Sequence, residues 1–291
     1  MKKYVWLSGI IPMVICICIW MGRGVYPFGE QCILHMDMYH QYCPFFIEMA
    51  DKLQNGGSLF YTWNLGLGSD FVALFAYYLA SPLNLLLIFC PKDFVIEFMT
   101  VITLLKIGAC GWSFFYFLKE HFAMEHTGPN QERLCRGALV FACAYALSGF
   151  TAAYSWNIMW MDSVALTPLI FLGLERLVRQ GKCALYYVTL ALSIWSNYYI
   201  SIMICWCLVL YFFYLSTEGR WTLASIGKKC KAGLRFAWYS LLAGGTSAVL
   251  ILPEILILSR TSSTGSDAIK GVEWYFHLLA ELPRMSLAAE V

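Results

Sequence analysis

Two acidic residues, Asp37 and Asp162, are the strongest candidates for chemistry in this sequence. Asp37 begins a polar and aromatic segment that runs to Tyr42, and Asp162 closes a second such segment at 155–162. A carboxylate near a membrane surface can act as the general base of a group-transfer reaction or bind a hard cation such as Mg²⁺. Asp is also favoured at helix N-termini, so capping is the structural alternative for both acids.

Two histidines flank Asp37 and raise the question of a metal site. His35 and His40 lie two residues before and three residues after it, a spacing that does not place all three side chains on one helix face. A dedicated histidine site is therefore disfavoured. If the chain binds a metal, Asp37 and Asp162 are the expected ligands and Mg²⁺ or Mn²⁺ the expected ion.

Three further ionisable residues fall inside apolar runs, where a charge is costly and often functional. Lys106 lies near the middle of its run, and an interhelical hydrogen bond is its structural alternative. Glu175 precedes Arg179 by one helical turn, a spacing typical of an ion pair. Glu254 lies near the end of the last run, where it would share a membrane face with Asp37.

The composition shows what kind of protein must position these groups. Of 291 residues, 60% are apolar and 13% charged, and the mean hydropathy is +0.63. Soluble domains are about 45–50% apolar and about 25% charged, so this chain cannot cover a water-facing surface. It also lacks the dense basic patch of a nucleic-acid binder. The sequence predicts an all-α polytopic membrane protein.

Seven apolar runs are long enough to be read as membrane spans. They are residues 4–21, 94–118, 137–154, 163–177, 183–197, 198–216 and 236–258. Lys2 and Lys3 precede the first run, and no small-residue cleavage site follows it, so we expect an uncleaved helix with its N-terminus in the cytoplasm.

An eighth apolar run, 71–90, is predicted to form a re-entrant or interfacial hairpin. Ser81-Pro82 divides it, and proline removes a backbone donor. If this run does not cross the membrane, thirteen of the twenty Lys and Arg residues lie inside and six outside, as the positive-inside rule requires. The result is one seven-span module, 1–258, with outer loops at 22–93 and 155–162 and an outer tail at 259–291.

The long outer loop 22–93 is expected to be functional rather than a simple connection. We expect it to contain an interfacial helix, because five apolar residues recur at helical spacing: Tyr42, Phe45, Phe46, Met49 and Leu53. The Gly-rich turn at 66–70 opens no strand–helix unit, so a nucleotide-phosphate site is disfavoured. An enzyme site on the outer face would therefore need an activated substrate delivered in the membrane, such as a lipid-linked sugar.

Several motifs that fall in order along the chain resemble the beginning of the bacterial YfhO membrane-protein family. They are Gly24-Val25-Tyr26-Pro27-Phe28-Gly29, Asp37-Met38-Tyr39-His40-Gln41-Tyr42, Leu59-Phe60-Tyr61-Thr62-Trp63-Asn64-Leu65-Gly66-Leu67-Gly68, Tyr77-Tyr78-Leu79-Ala80-Ser81-Pro82-Leu83-Asn84, Leu105-Lys106-Ile107, Asn157-Ile158-Met159-Trp160-Met161-Asp162 and Asn197-Tyr198-Tyr199. The likeness extends from about residue 20 to about residue 260.

That family is similar to the GT-C glycosyltransferases. The resemblance implies a GT-C-like fold and transfer of a sugar from polyprenyl phosphate to a teichoic or lipoteichoic acid type of polymer, at the outer face of the plasma membrane. It also implies that Asp37 matches the catalytic acid of the first outer loop and Asp162 the acidic position of the second. Family members are usually longer, so we expect the tail 259–291 to be part of a truncated outer region.

The residues expected to bind substrate surround these two acids. They are His40, Gln41, Asn157, Asn197, Tyr198, Glu254 and Arg260. Arg260 is the preferred cation for the leaving phosphate. The expected partners are membrane lipid, the polyprenyl-phosphate-linked sugar and the envelope polymer, without nucleic acid.

Two alternative functions remain open from the sequence. A lipid or sugar transporter would suit the broken run 71–90 and the mid-membrane Lys106, and a non-catalytic assembly partner would suit the short chain. The positions of the acids distinguish these functions. A shared outer cavity for Asp37 and Asp162 favours the enzyme, and two separate helix caps favour the assembly partner.

Overall fold

The computed structural model describes residues 2–125, 131–217 and 223–258, and these residues are almost entirely helical. The α-helices are α1 (Lys2–Gly22), α2 (Cys43–Asn55), α3 (Phe71–Leu74), α4 (Val95–Glu125), α5 (Gln131–Ala146), α6 (Gly149–Tyr154), α7 (Met161–Gln180), α8 (Ala184–Ser196), α9 (Tyr198–Thr217) and α10 (Leu223–Leu258). Shorter π segments at Met38–Tyr42 and Phe75–Leu79, and 3-10 helices at Pro82–Phe89 and Lys92–Phe94, complete the helical part.

Five helices in the described ranges are long and apolar enough to cross a membrane. They are Lys3–Gly22, Lys92–Phe122, Glu132–Tyr154, Tyr198–Thr217 and Gly227–Ile257. The two other predicted spans, 163–177 and 183–197, form α7 and α8. Helix α7 carries four charged residues, and α8 has 13 residues, which reach about 20 Å at 1.5 Å per residue. The chain is an all-α polytopic membrane protein.

The run 71–90 is broken where the sequence predicts. Two helical segments, Phe71–Leu79 and Pro82–Phe89, meet at an angle of 109°. The break falls at Ala80–Ser81, directly before Pro82, whose ring nitrogen has no hydrogen to donate. A pair bent this sharply is either a broken span or a re-entrant hairpin, so the re-entrant placement stays a prediction.

Helix α4 lies at the centre of the bundle and packs against α1, α5 and α7. Its approach to α1 depends on glycine, because a Cβ atom on Gly111 would lie 2.1 Å from the Ser8 carbonyl oxygen. Small residues commonly allow such close approach between membrane helices. On the other side, α7 packs against α8 and α9. The central position of α4 brings Lys106 beside the beginning of α7.

The loops 22–93 and 155–162, the two predicted outer loops, fold onto each other. The predicted apolar face faces the core. Phe46 and Met49 of α2 and the preceding Tyr42 are buried, and Phe45 and Leu53 are partly buried against them. These side chains share one apolar core with Leu79 of the bent segment and Ile158 of the second loop. The packing therefore gathers the motifs of both outer loops at one end of the bundle.

A short β-hairpin projects from the first outer loop. Strands β1 (Tyr61–Thr62) and β2 (Ser69–Asp70) pair in antiparallel register, with Tyr61 opposite Asp70 and Thr62 opposite Ser69. The hairpin connects α2 to the bent segment, since Asp70 immediately precedes α3.

Candidate functional site

Asp162 forms a buried ion pair with Lys106. The Lys106 Nζ atom donates hydrogen bonds to Asp162 Oδ2 at 2.6 Å and to the Ile158 carbonyl oxygen at 3.0 Å. The Ser81 hydroxyl donates to the other carboxylate oxygen, Oδ1, at 2.9 Å. The pair therefore ties together α4, the second outer loop, the beginning of α7 and the break in the bent segment.

The sequence left Asp162 open as either a functional acid or the cap of a helix. The N-terminus of α7 has no side-chain capping bond, and both Asp162 oxygens are used by Ser81 and Lys106. The capping alternative is therefore wrong for this residue. The interhelical hydrogen bond considered for Lys106 is present and is an ion pair as well.

Asp37 occupies the N-cap position of the first π segment without acting as a cap. Its backbone has φ −64° and ψ −19°, and its carboxylate accepts no capping hydrogen bond. The capping alternative is therefore also wrong for Asp37. The side chain is half-buried, and it lies close enough to the Tyr42 phenol that burial and then the Asp37 charge raise the pKa of Tyr42.

A hydrogen bond joins the two outer loops beside Asp37. The Tyr42 hydroxyl donates to Asn157 Oδ1 at 2.8 Å, and both side chains are buried. The other Asn157 amide atom, Nδ2, is also buried, and within the described residues it has no hydrogen-bond partner. The Tyr42 ring stacks on Trp156 with centroids 6.3 Å apart.

Tyr78 lies between the first π segment and the tyrosines that approach the last helix. Its ring lies 5.4 Å from that of Tyr42 and 4.6 Å from that of Tyr77. Tyr77 in turn lies against Tyr198, whose hydroxyl donates to Glu254. A series of ring contacts therefore joins the segment that begins after Asp37 to Glu254.

Glu254 is a buried acid with one occupied oxygen. Its Oε1 atom accepts a hydrogen bond from the Tyr198 hydroxyl at 3.0 Å, whereas Oε2 has no hydrogen-bond partner within the described ranges. The neighbouring Asn197 donates from Nδ2 to the Tyr77 carbonyl oxygen at 3.2 Å, and its Oδ1 accepts from the Ile200 backbone. Asn197 therefore fixes the tight turn between α8 and α9 against the bent segment.

Aromatic rings line the region between these polar groups. The Tyr77 ring lies 5.7 Å from the Tyr198 ring, and the Trp160 ring stacks on Tyr199 at 6.1 Å. Ligand sites in proteins typically combine aromatic walls with a few placed polar groups. We call this set the outer cluster. It comprises Asp37, Tyr42, Tyr77, Tyr78, Asn157, Trp160, Asn197, Tyr198, Tyr199 and Glu254.

Residues 8–285, nearly the whole chain, match the YfhO family of bacterial membrane proteins. The chain belongs to the YfhO family. No curated protein sequence and no solved structure matches it. Membership agrees with the multi-pass helical architecture and identifies the chain as a bacterial membrane protein.

The YfhO chain does not bring every predicted site residue into the outer cluster. Asp162 is not a member of the cluster, and its charge is balanced by Lys106. Lys106 also donates to the carbonyl of Ile158, the residue after Asn157 of the cluster. Gln41 reaches the cluster edge, where its Oε1 accepts from the Tyr78 hydroxyl at 3.5 Å. His40 is exposed and contacts the Tyr39 ring. Arg260 lies outside the described residues.

The geometry of the YfhO chain does not fit a metal shared by Asp37 and Asp162. Both Asp162 oxygens already accept hydrogen bonds, one of them from a cation. In the part of the chain that the structure describes, no three His, Cys, Asp or Glu side chains are grouped as metal ligands. Mg²⁺ or Mn²⁺ at this pair would have to displace Lys106.

Three contributors to this region of the YfhO chain could not be assigned from the sequence. Ser81 was interpreted only as part of a helix break, although it donates to Asp162. Tyr77 and Tyr78 carried a family resemblance without an assigned role. The sequence did offer one indication, because two consecutive tyrosines precede the Ser-Pro break. Polar side chains commonly lie where a helix is interrupted within a membrane.

Proposed function

We propose that this chain is a glycosyltransferase. It takes a sugar from a polyprenyl-phosphate donor and transfers it to a hydroxyl group of a teichoic or lipoteichoic acid type of polymer, at the outer face of the plasma membrane. The observation that carries the proposal is the position of Asp37. Its half-buried carboxylate makes no capping hydrogen bond, and it begins the short segment that carries Tyr42 of the aromatic outer cluster.

In the proposed reaction Asp37 is the general base. It accepts the proton of the acceptor hydroxyl while that oxygen forms a bond to the anomeric carbon of the sugar. The bond between the anomeric carbon and the phosphate oxygen breaks, and polyprenyl phosphate leaves with its electron pair. General-base assistance of this kind accelerates a reaction by about 10²–10⁴-fold.

Two buried polar atoms support sugar binding at the outer cluster. Glu254 Oε2 and Asn157 Nδ2 lack hydrogen-bond partners within the described ranges, although buried polar groups are nearly always paired. An unpaired buried group costs about 1–3 kcal/mol. A sugar hydroxyl donating to Glu254 and another accepting from Asn157 would remove that cost, while the tyrosine and tryptophan rings would contact the sugar faces.

Asp162 takes a supporting role in this proposal. Through Lys106 it holds the second outer loop and the beginning of α7 in place, and through Ser81 it holds the bent segment that carries Tyr78. The leaving phosphate requires a cation other than Lys106, whose charge Asp162 already balances. Arg260 and Arg23 are the proposed donors.

A transporter is the second candidate function, and the bent segment favours it. Broken helices and mid-membrane charges mark substrate paths in many transporters, and here Ser81 at the break contacts the Lys106–Asp162 pair. A transporter would move a lipid-linked sugar between leaflets without breaking the bond to phosphate. An assembly partner would do neither.

Purified protein in proteoliposomes distinguishes these functions. A panel of radiolabelled polyprenyl-phosphate sugars is supplied with isolated envelope polymer, and label is followed in polymer and in each leaflet. The proposal expects labelled sugar in the polymer and the release of one free polyprenyl phosphate for each sugar transferred. Movement of intact donor between leaflets without polymer labelling would support the transporter, and no change in either would contradict both functions.

A further inference from the structure

The hairpin at 58–70, here called the outer hairpin, exposes an unusual amount of apolar surface. Leu67 at its tip is 98% exposed, Trp63 77% and Phe60 76%. Its one charged residue is Asp70, at the base of the hairpin. An exposed set of large apolar residues of this kind commonly marks an interaction surface.

The sequence forces Leu67 outward. Gly66 and Gly68 on either side have φ angles of +61° and +107°, which side chains of L-residues rarely adopt. A Cβ atom on Gly68 would also lie 1.9 Å from the Tyr61 hydroxyl oxygen. The Gly-Leu-Gly tip is therefore shaped to project a leucine, and the nucleotide interpretation of this turn is not needed to explain its glycines.

Polar contacts fix the opposite side of the hairpin to α2. The Lys52 ammonium donates to the carbonyl oxygens of Ser58 and Tyr61 at 2.5 and 3.2 Å. Glu48 accepts from the Thr62 hydroxyl at 2.5 Å and from the Asn64 amide at 2.9 Å. These contacts hold the hairpin in place with its polar groups against α2, so its large apolar side chains stay exposed.

The hairpin lies beside one end of a candidate membrane span. A cavity of about 320 Å³ is lined by Asn64 and Leu65 of the hairpin and by Lys92, and Lys92 is the first residue of the candidate span Lys92–Phe122. A span begins where the chain enters the membrane interface. Asn64 and Leu65 of the hairpin therefore lie close to one end of that candidate span. Phe89 and Phe94, which flank Lys92 in the sequence, are 83% and 53% exposed.

We infer that the outer hairpin inserts its apolar tip into the interfacial region of the adjacent bilayer leaflet. The partner is the lipid surface itself. Tryptophan and other large aromatic residues concentrate at that depth, where an apolar ring body meets the polar headgroups. Insertion would anchor the outer loop 22–93 to the bilayer at a third point besides α1 and α4, whether or not the chain transfers sugar.

Depth-dependent fluorescence quenching in lipid nanodiscs tests this inference. Leu67→Cys is labelled with an environment-sensitive fluorophore in a background where the other exposed cysteines are alanine. Those cysteines are Cys18, Cys32, Cys207 and Cys230. Because Leu67 is almost fully exposed, the replacement should not disturb the fold. Two further single-cysteine variants in the same background are the controls. Restored Cys207 on α9 is the lipid-facing control, and Lys182→Cys, in the exposed turn after α7, is the aqueous control.

The expected result is quenching of the label at position 67 by lipids with a nitroxide near the headgroup, a blue-shifted emission, and loss of iodide quenching relative to Lys182→Cys. Strong iodide quenching without lipid quenching would show a water-exposed hairpin and overturn the inference. Protection from both quenchers would show contact with protein, such as a second copy of the chain, and would overturn it as well.

Discussion

The Lys106 ammonium lies 2.6 Å from the Asp162 carboxylate across 56 residues of sequence, and both side chains are buried in the helical bundle. A buried charge is expensive unless it is paired and hydrogen-bonded. Here the ammonium also donates to the Ile158 carbonyl and the carboxylate also accepts from Ser81. The pair therefore joins α4, the second outer loop, the beginning of α7 and the bent segment.

Breaking this pair should destabilise the protein more than removing it completely. Asp162→Asn leaves the Lys106 charge without its partner, which costs about 3–5 kcal/mol for a buried pair. The double variant Lys106→Met, Asp162→Leu should recover most of that loss, because an apolar pair of similar size is often neutral. Thermal unfolding in detergent measures both variants. Equal stability of Asp162→Asn and the parent would show that the pair contributes nothing.

Acid should release the outer hairpin from α2. Burial raises the pKa of Glu48, but the hydrogen bonds from Thr62, Asn64 and Lys52 outweigh it and leave that pKa below its ordinary value. A group with a lowered folded pKa stabilises the fold above the unfolded pKa, about 4.3 for Glu, and this stabilisation is lost as the pH falls through the lowered value.

Limited proteolysis of the loop 22–93 from pH 7 into the acid range, with an acid-tolerant protease, measures the release of the hairpin. Cleavage should rise as the pH falls below about 4, and Glu48→Gln should be cleaved more than the parent already at pH 7. Asp93→Asn, which changes an exposed acid near the beginning of α4, is the matched control. A parental pH profile in Glu48→Gln would rule out Glu48 as the titrating group.

Thiol labelling of intact cells tests the proposed orientation, with the N-terminus inside. Cys32 in the first outer loop is a free and exposed thiol, so a membrane-impermeant reagent should label it. Lys182→Cys should be labelled only after the membrane is opened. Native Cys135 is unsuitable as the inner probe, because it is buried against the core that contains Phe115. Labelling of Lys182→Cys from outside would invert the topology and place the α7–α8 turn on the outer face.

Glu254→Gln should weaken donor binding in the proposed enzyme. The substitution keeps the size of the side chain but removes the charge and replaces one acceptor oxygen with a donor. A hydrogen bond to a charged group contributes about 1.5–3 kcal/mol, which corresponds to a fall of about 10–150-fold in kcat/KM. Steady-state kinetics with the donor varied measures the effect. An unchanged kcat/KM would remove Glu254 from the substrate site.

The sequence was informative where local pattern decides the structure. The helical spacing from Tyr42 to Leu53 predicted which face of α2 is buried, and Pro82 predicted the break in the bent segment, because both depend on neighbours a few residues apart. The Lys106–Asp162 pair depends on how α4 crosses α7, which a single sequence does not encode locally. The contacts of Tyr78 with Tyr42 and Gln41 join segments 36 and 37 residues apart in the sequence, so no local pattern indicates them.

Asp37→Asn tests the central claim most directly. Asparagine has the same size and keeps one acceptor oxygen, and no capping bond is lost because none is present. Asp37→Asn should therefore reach parental levels in the membrane. It cannot accept the acceptor proton, so transfer of labelled sugar from polyprenyl phosphate to polymer should fall at least about a hundredfold. Asp93→Asn, an exposed acid outside the outer cluster, should transfer at the parental rate. Transfer by Asp37→Asn at near-parental rates, normalised to protein amount, would contradict the account.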